Sequence, residues 1–164
     1  MSLPYRPNVG IALFNRDGLV FAGFGNSSGP EIVTPGHEWQ MPQGGIDENE
    51  DVIAAARREL REETGVTQAR FLAVTDDWAP YDFPPYSGPP HRLCAWRGQK
   101  QKWVAFRFEG EERDIDLSRL NDGEPPEFSH WRWLPLADMP ALVVAHKRPV
   151  YEMVARAFAR FAAP

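Results

Sequence analysis

Three glutamates near the end of one short segment carry the chemistry of this chain. Residues 44–66 read GGIDENEDVIAAARRELREETGV, and Glu59, Glu62 and Glu63 stand at i, i+3 and i+4. On a helix that spacing puts their carboxylates on one face. Like charges so placed repel by roughly 0.2–0.5 kcal/mol per pair in water, and by more when partly buried. A divalent cation removes the conflict. Hard oxygen ligands suit Mg²⁺ or Mn²⁺, held by a few carboxylates plus the phosphates of a substrate. The plainer alternative is a solvated acidic face with incidental Arg58–Glu62 pairing.

A helix must present these side chains. Residues 50–63 contain no Gly or Pro and are rich in good helix formers. Asp47 followed by Glu50 resembles a capping box, and Gly65 supplies the stop. At about 100° per residue, Val52, Ile53, Ala56 and Leu60 form an apolar stripe, with Arg57, Arg58 and Arg61 opposite. The glutamate face borders the stripe.

The rest of the chain alternates strand and helix signals. Residues 9–14 and 19–24 are apolar runs split by an Asn-Arg-Asp-Gly turn, which predicts a hairpin. Residues 25–37 are a polar Gly/Pro loop, and 39–41 a short strand ahead of the glutamate segment. Strand character returns at 70–75, 92–96, 103–108 and 130–134. Residues 78–90, dense in proline and aromatics, predict an irregular loop, and 115–126 a loop or an edge. Residues 149–162 predict an amphipathic terminal helix that starts with Pro. The expectation is one α/β domain over residues 1–164, with a mixed sheet packed between helices.

Composition narrows the function classes. No apolar run approaches the roughly 20 residues that span a bilayer, so no membrane partner is expected. The single Cys94 cannot form an internal disulfide, which fits a reducing cytoplasm. A net charge of −5 does not advertise a polyanion partner, and no DNA partner is expected. A phosphate substrate must therefore be held by local basic residues and metal.

Gly44, Glu50, Arg58, Glu59, Leu60, Glu62, Glu63, Gly65 and Val66 follow the order G-x5-E-x7-R-E-U-x-E-E-x-G-U, U being bulky and apolar. The segment resembles the complete box of the Nudix hydrolases. Beyond it, YRPNVG (5–10), WQMPQGG (39–45), GQKQKW (98–103), PEF (126–128) with WRW (131–133), and KRPVY (147–151) form an ordered set. Together they resemble the branch holding bacterial RNA pyrophosphohydrolases and dinucleoside polyphosphate hydrolases. The resemblance implies an α/β/α sandwich with the box as a loop–helix–loop. It implies metal-dependent hydrolysis of a nucleotide or of 5′-triphosphorylated RNA, with Glu59, Glu62 and Glu63 on the metal and one of them acting as base. Glu127 resembles the extra metal carboxylate contributed from outside the box, and Glu50 with Arg58 supports the site.

For phosphate binding the resemblance implies Arg6, Lys102 and Lys147. Tyr81 and Phe83 can stack on a base, worth roughly 1–3 kcal/mol, or pack beneath their loop. The chain departs from the enterobacterial RNA pyrophosphohydrolase pattern in three places. The 25–37 loop is longer and lacks a basic pair, Glu38 replaces serine, and His146 replaces a stacking phenylalanine. Protonation of His146 near an ordinary pKa of about 6.5 is expected to add a phosphate or stacking contact at lower pH. Three further readings stand beside RNA-end hydrolysis. They are a dinucleoside polyphosphate hydrolase, a nucleotide-sugar hydrolase and a catalytically silent nucleotide-binding module.

Overall fold

The computed structural model describes residues 2–26, 29–118 and 125–163. In chain order its elements are β1 (Tyr5–Phe14), β2 (Val20–Gly25), β3 (Trp39–Gln40), β4 (Gln43–Gly45), α1 (Val52–Thr64), β5 (Ala69–Val74), β6 (Ala79–Asp82), β7 (Gly98–Phe108), β8 (Phe128–Leu134), α2 (Met139–Leu142) and α3 (Arg148–Ala157). Short 3₁₀ turns join several of them. β1 and β7 run parallel at the centre of the sheet, from Tyr5↔Gly98 to Phe14↔Arg107. The other pairings are antiparallel: β2 and β4 with β1, β3 and β8 with β2, β5 and β6 with β7.

Side chains of the central strands alternate between two cores, as the pleat requires. Val9, Ile11 and Leu13 of β1, with Val104 and Phe106 of β7, pack on Ala55, Ala56 and Leu60 of α1. Ala12, Phe14, Trp103 and Ala105 face Val150, Tyr151 and Val154 of α3. With both faces covered, the central strands read as continuous apolar runs rather than as alternating ones. The layers are α1, sheet, then α2 with α3, so the expected α/β/α sandwich is present. Gly10 allows the close parallel seam, because a Cβ there would enter the Trp103 indole.

Several local expectations need correction. Asp51, not Asp47, caps α1, its carboxylate accepting the Ile53 and Ala54 N–H groups at 3.1 Å. Asp47 and Glu50 instead close a turn ahead of the helix, Asp47 N–H donating to Glu50 Oε1 at 3.0 Å. Residues 92–95 form a 3₁₀ turn capped by His91, not a strand. The stretch expected to be irregular contains β6, where Pro80 is tolerated at the sheet edge. β7 begins at Gly98, well before residue 103, because the GQKQKW segment pairs with β1 on one side and β6 on the other. Pro42 divides the strand expected at 39–41 from a second one, so β3 joins β2 and β4 joins β1. α3 ends at Ala157 and a turn over Ala159–Phe161 follows. α2 had no clear signal in sequence. Of the polar stretch 115–126, residues 119–124 lie outside the described residues. Among the described residues, no helix is long and apolar enough to cross a membrane.

Candidate active site

Arg58 organises the box. Its guanidinium takes Glu50 in a fork, with both contacts at 2.9 Å, and donates to the Gly45 carbonyl at 2.8 Å. The same group reaches Glu59 at 2.7 Å and Glu62 at 3.2 Å. It therefore does not lie on the far side of the helix with Arg57 and Arg61. Its long stem turns back toward the glutamates, and the i, i+4 spacing brings Glu62 beside it. The fork on Glu50 raises the Arg58 pKa further, fixing the positive charge. Gly44 completes the fit, since a Cβ there would overlap the Glu59 carboxylate.

Two carboxylates sit in unfavourable surroundings. Burial pushes Glu59 up to about 7, against the pull of Arg58, and Glu62 adds repulsion. Glu63 lies well above the usual carboxylate range, first from burial, then from the charges of Glu127 and Glu59. Its Oε2 is shielded from solvent and has no hydrogen-bond partner. Glu127, from the loop ahead of β8, thus faces the box electrostatically although its side chain is exposed.

A buried polar cluster adjoins the carboxylates on the α3 side of the sheet. Asn8, Gln99 and Gln101 are all at or below 1% exposure and project inward from β1 and β7. Gln99 Oε1 accepts from Arg6 at 3.0 Å and Asn8 at 2.8 Å. Gln101 Nε2 donates to Asn8 and Gln43, both at 2.9 Å. Lys147 donates to Gln43 Oε1 at 3.3 Å and pairs with Glu31 at 2.6 Å. Tyr81 O–H donates to Glu31 Oε1 at 2.6 Å. Burial alone would raise Glu31, but the Lys147 ammonium holds its carboxylate below the usual range. Arg6 feels both Glu59 and Glu31, and Lys147 acts on Glu63, so the cluster and the box share one field.

The expected substrate residues divide accordingly. Arg6 and Lys147 stand in this cluster beside the box. Lys147 is only 2% exposed and already paired, unlike a solvated surface cation. Lys102 is not with them. Alternation along β7 turns it, with Lys100, to the opposite face, where their ammonium groups lie 5.2 and 4.9 Å from the Trp78 ring centre. Tyr81 is 5% exposed and packs on Phe83 and His146, so packing rather than an open stacking platform describes it. Phe83 is half-buried beside it. His146 does not titrate near 6.5: burial, then Lys147, lower it to about 4, so it stays neutral at the pH where a new contact was expected. Sequence reasoning missed Asn8, Gln99, Gln101 and Gln43 as a network, although all lie in the quoted motifs. Glu31, one acid in a Gly/Pro loop, gave no signal.

The NUDIX domain model matches residues 4–154. The chain belongs to the NUDIX family. Two relatives named RNA pyrophosphohydrolase, from Brucella ovis and Bradyrhizobium sp., are 47% and 50% identical to it. The alignments cover 99% and 98% of this chain and 92% and 95% of theirs. Among solved structures, a C. elegans Ap4A hydrolase complex matches with a TM-score of 0.58 at 18% identity, covering 93% of this chain and 98% of that one. The E. coli dihydroneopterin triphosphate pyrophosphohydrolase matches with a TM-score of 0.61 at 17% identity, over 92% and 96%. At those identities the likeness is one of fold.

The NUDIX box of this chain fits a divalent cation in charge and donor type. Its donors are carboxylate oxygens, one of them, Glu63 Oε2, shielded and without a hydrogen bond, and Glu59 repels Glu63. Among the described residues, no three His, Cys, Asp or Glu side chains already stand as an enclosing metal cage. Mg²⁺ rarely uses such a cage. It keeps waters and takes one or two carboxylates together with substrate phosphates.

Proposed function

We propose that this NUDIX hydrolase removes pyrophosphate from 5′-triphosphorylated RNA in a Mg²⁺-dependent reaction. The observation that carries the reading is the shielded Glu63 Oε2, which has no hydrogen-bond partner and is repelled by the charges of Glu127 and Glu59. The substrate class is supported by near full-length similarity to proteins named RNA pyrophosphohydrolase. Glu59, Glu62, Glu63 and Glu127 would supply the metal's protein ligands. When bound, the metal polarises phosphoryl oxygens, lowers the pKa of water and offsets charge developing in the transition state.

The chain's own residues do the positioning. Arg58 holds Glu59 and Glu62 in fixed directions through contacts of 2.7 and 3.2 Å. One box glutamate accepts the proton of the attacking water, and the water oxygen bonds to phosphorus as pyrophosphate leaves, giving a 5′-monophosphorylated RNA. Arg6 and Lys147, beside the box, would be the cations that meet the phosphate chain.

Steady-state kinetics on 5′-triphosphorylated RNA and diadenosine tetraphosphate, each with Mg²⁺, test the reading. We expect kcat/KM to favour RNA by at least about tenfold, or about 1.4 kcal/mol of transition-state binding. A preference for diadenosine tetraphosphate would move the assignment to a dinucleoside polyphosphate hydrolase. No turnover of either would end it.

A further inference from the structure

We propose that Glu31 is a built-in plug, its carboxylate occupying an anion seat that a substrate phosphoryl group must take over. The inference rests on reading the adjoining box as a polyphosphate site. Three donors converge on this one carboxylate. Lys147 Nζ lies 2.6 Å from Oε2, while Tyr81 O–H and Gln99 Nε2 reach Oε1 at 2.6 and 2.9 Å. Converging charged and neutral donors of this kind are what a phosphoryl oxygen requires.

The donors and the plug belong to different kinds of structure. Gln99 and Tyr81 sit on paired strands β7 and β6, and Lys147 immediately precedes α3. Glu31 ends a single 3₁₀ turn, Gly29–Glu31, that belongs to no strand pair. The turn begins at Gly29 with a φ of 67°, packed so closely on the His91 ring that a Cβ would collide. Ile32, the next residue, is 55% exposed. Lifting this turn breaks one ion pair and two hydrogen bonds but leaves the sheet intact.

The seat is continuous with the box. Arg6 donates to Gln99, whose amide holds the plug, and feels the charges of both Glu59 and Glu31. Lys147 also donates to Gln43, which directly precedes Gly44 of the box. A phosphate chain lying between the box and Lys147 therefore competes with Glu31 for the same donors. Displacing the plug would uncover Lys147 and Tyr81, the two expected substrate residues that the structure shows buried. A lone carboxylate ligand competes poorly with a tethered one, so the device favours ligands with several phosphates.

Apparent affinity falls by the fraction of molecules with an open seat, so removing a plug that is seated nine times in ten tightens binding about tenfold. Calorimetric binding of inorganic tripolyphosphate to wild type and to Glu31→Gln reads this directly. We expect the variant to bind at least about tenfold tighter. Equal or weaker binding by a folded variant would overturn the proposal and make Glu31 a permanent partner of Lys147. If Glu31→Gln fails to fold, hydrogen exchange on the wild type decides. Saturating tripolyphosphate should speed exchange of the Ile32 amide, which donates to the Gly29 carbonyl. Unchanged or slower exchange would refute the plug. Neither readout needs hydrolysis, so a wild type that turns over no RNA would defeat the functional reading while leaving these results to judge Glu31.

Discussion

Glu63 and Arg58 act in opposite senses on stability. Burial and the charges of Glu127 and Glu59 disfavour an ionised Glu63, so its contribution is to function rather than to the fold. Glu63→Gln should cut turnover by at least about 10²-fold, the scale expected when a metal carboxylate is lost. Without metal, the same change should raise the melting temperature by about 2–4 °C, matching relief of about 1 kcal/mol. Calorimetry and kinetics on one preparation check both, and a large loss of stability would show that the carboxylate holds the fold. Arg58 is the reverse case. Arg58→Ala would leave Glu50, Glu59 and Glu62 without their shared cation. The expected cost is about 2–3 kcal/mol by urea unfolding, below the range for a fully buried pair because the side chain keeps 23% exposure. A cost near zero would mean that the three carboxylates find other partners. At this scale the sequence was legible where spacing fixed positions, as for Glu59, Glu62 and Glu63 on α1. The expected pairing of Arg58 with Glu50 is also present, and the reading failed where a residue found partners far along the chain. Glu31 bonds Gln99 across 68 positions, and no local pattern encodes that.

The elements were legible to the extent that their signals were local. α1 was visible from composition and from Gly65, whose φ of 76° confirms the stop. Its start was misplaced because the chain offers acids at both 47 and 51, and only three-dimensional geometry shows which one reaches the N–H groups. Asp51→Ala should therefore destabilise the protein by about 1 kcal/mol, lowering the melting temperature by about 2–4 °C. Asp47→Ala should cost less, and the opposite ranking would restore the capping box. β6 and the early start of β7 were hidden for a different reason. β6 depends on pairing with β7, and the start of β7 on pairing with β6 and with β1, whose register places Arg6 opposite Gln99 and Asn8 opposite Gln101. The turn at 92–95 has the apolar character of a strand. His91 Nδ1 captures the Leu93 N–H at 3.1 Å and bends the chain instead.

For the whole molecule, a net charge of −5 conceals a local balance. Acids gather at the box, while Arg6 and Lys147 stand beside it inside the fold. That arrangement makes stability depend on pH in a defined direction. His146 titrates near 4 when folded and at an ordinary 6.5 when free, so the unfolded chain binds the proton first. Its contribution is complete above 6.5 and drains away as pH falls from 6.5 to 4. Glu31, depressed by Lys147, adds to the acid loss below its ordinary 4.5. Glu59 and Glu63, both raised, act the other way, gaining stability as they protonate. A comparison of wild type with His146→Gln cancels the glutamate contributions. Wild type should lose stability relative to the variant between pH 6.5 and 4, and parallel curves would show that the imidazole is not held neutral.

The proposed activity is a metal-dependent attack, served by the box glutamates, on an RNA triphosphate end. Its most direct test follows the products of 5′-triphosphorylated RNA incubated with the protein and Mg²⁺. We expect equal amounts of pyrophosphate and 5′-monophosphorylated RNA, abolished by a chelator and restored by excess Mg²⁺. Absence of pyrophosphate at every Mg²⁺ concentration, or release that continues undiminished under chelation, would contradict it.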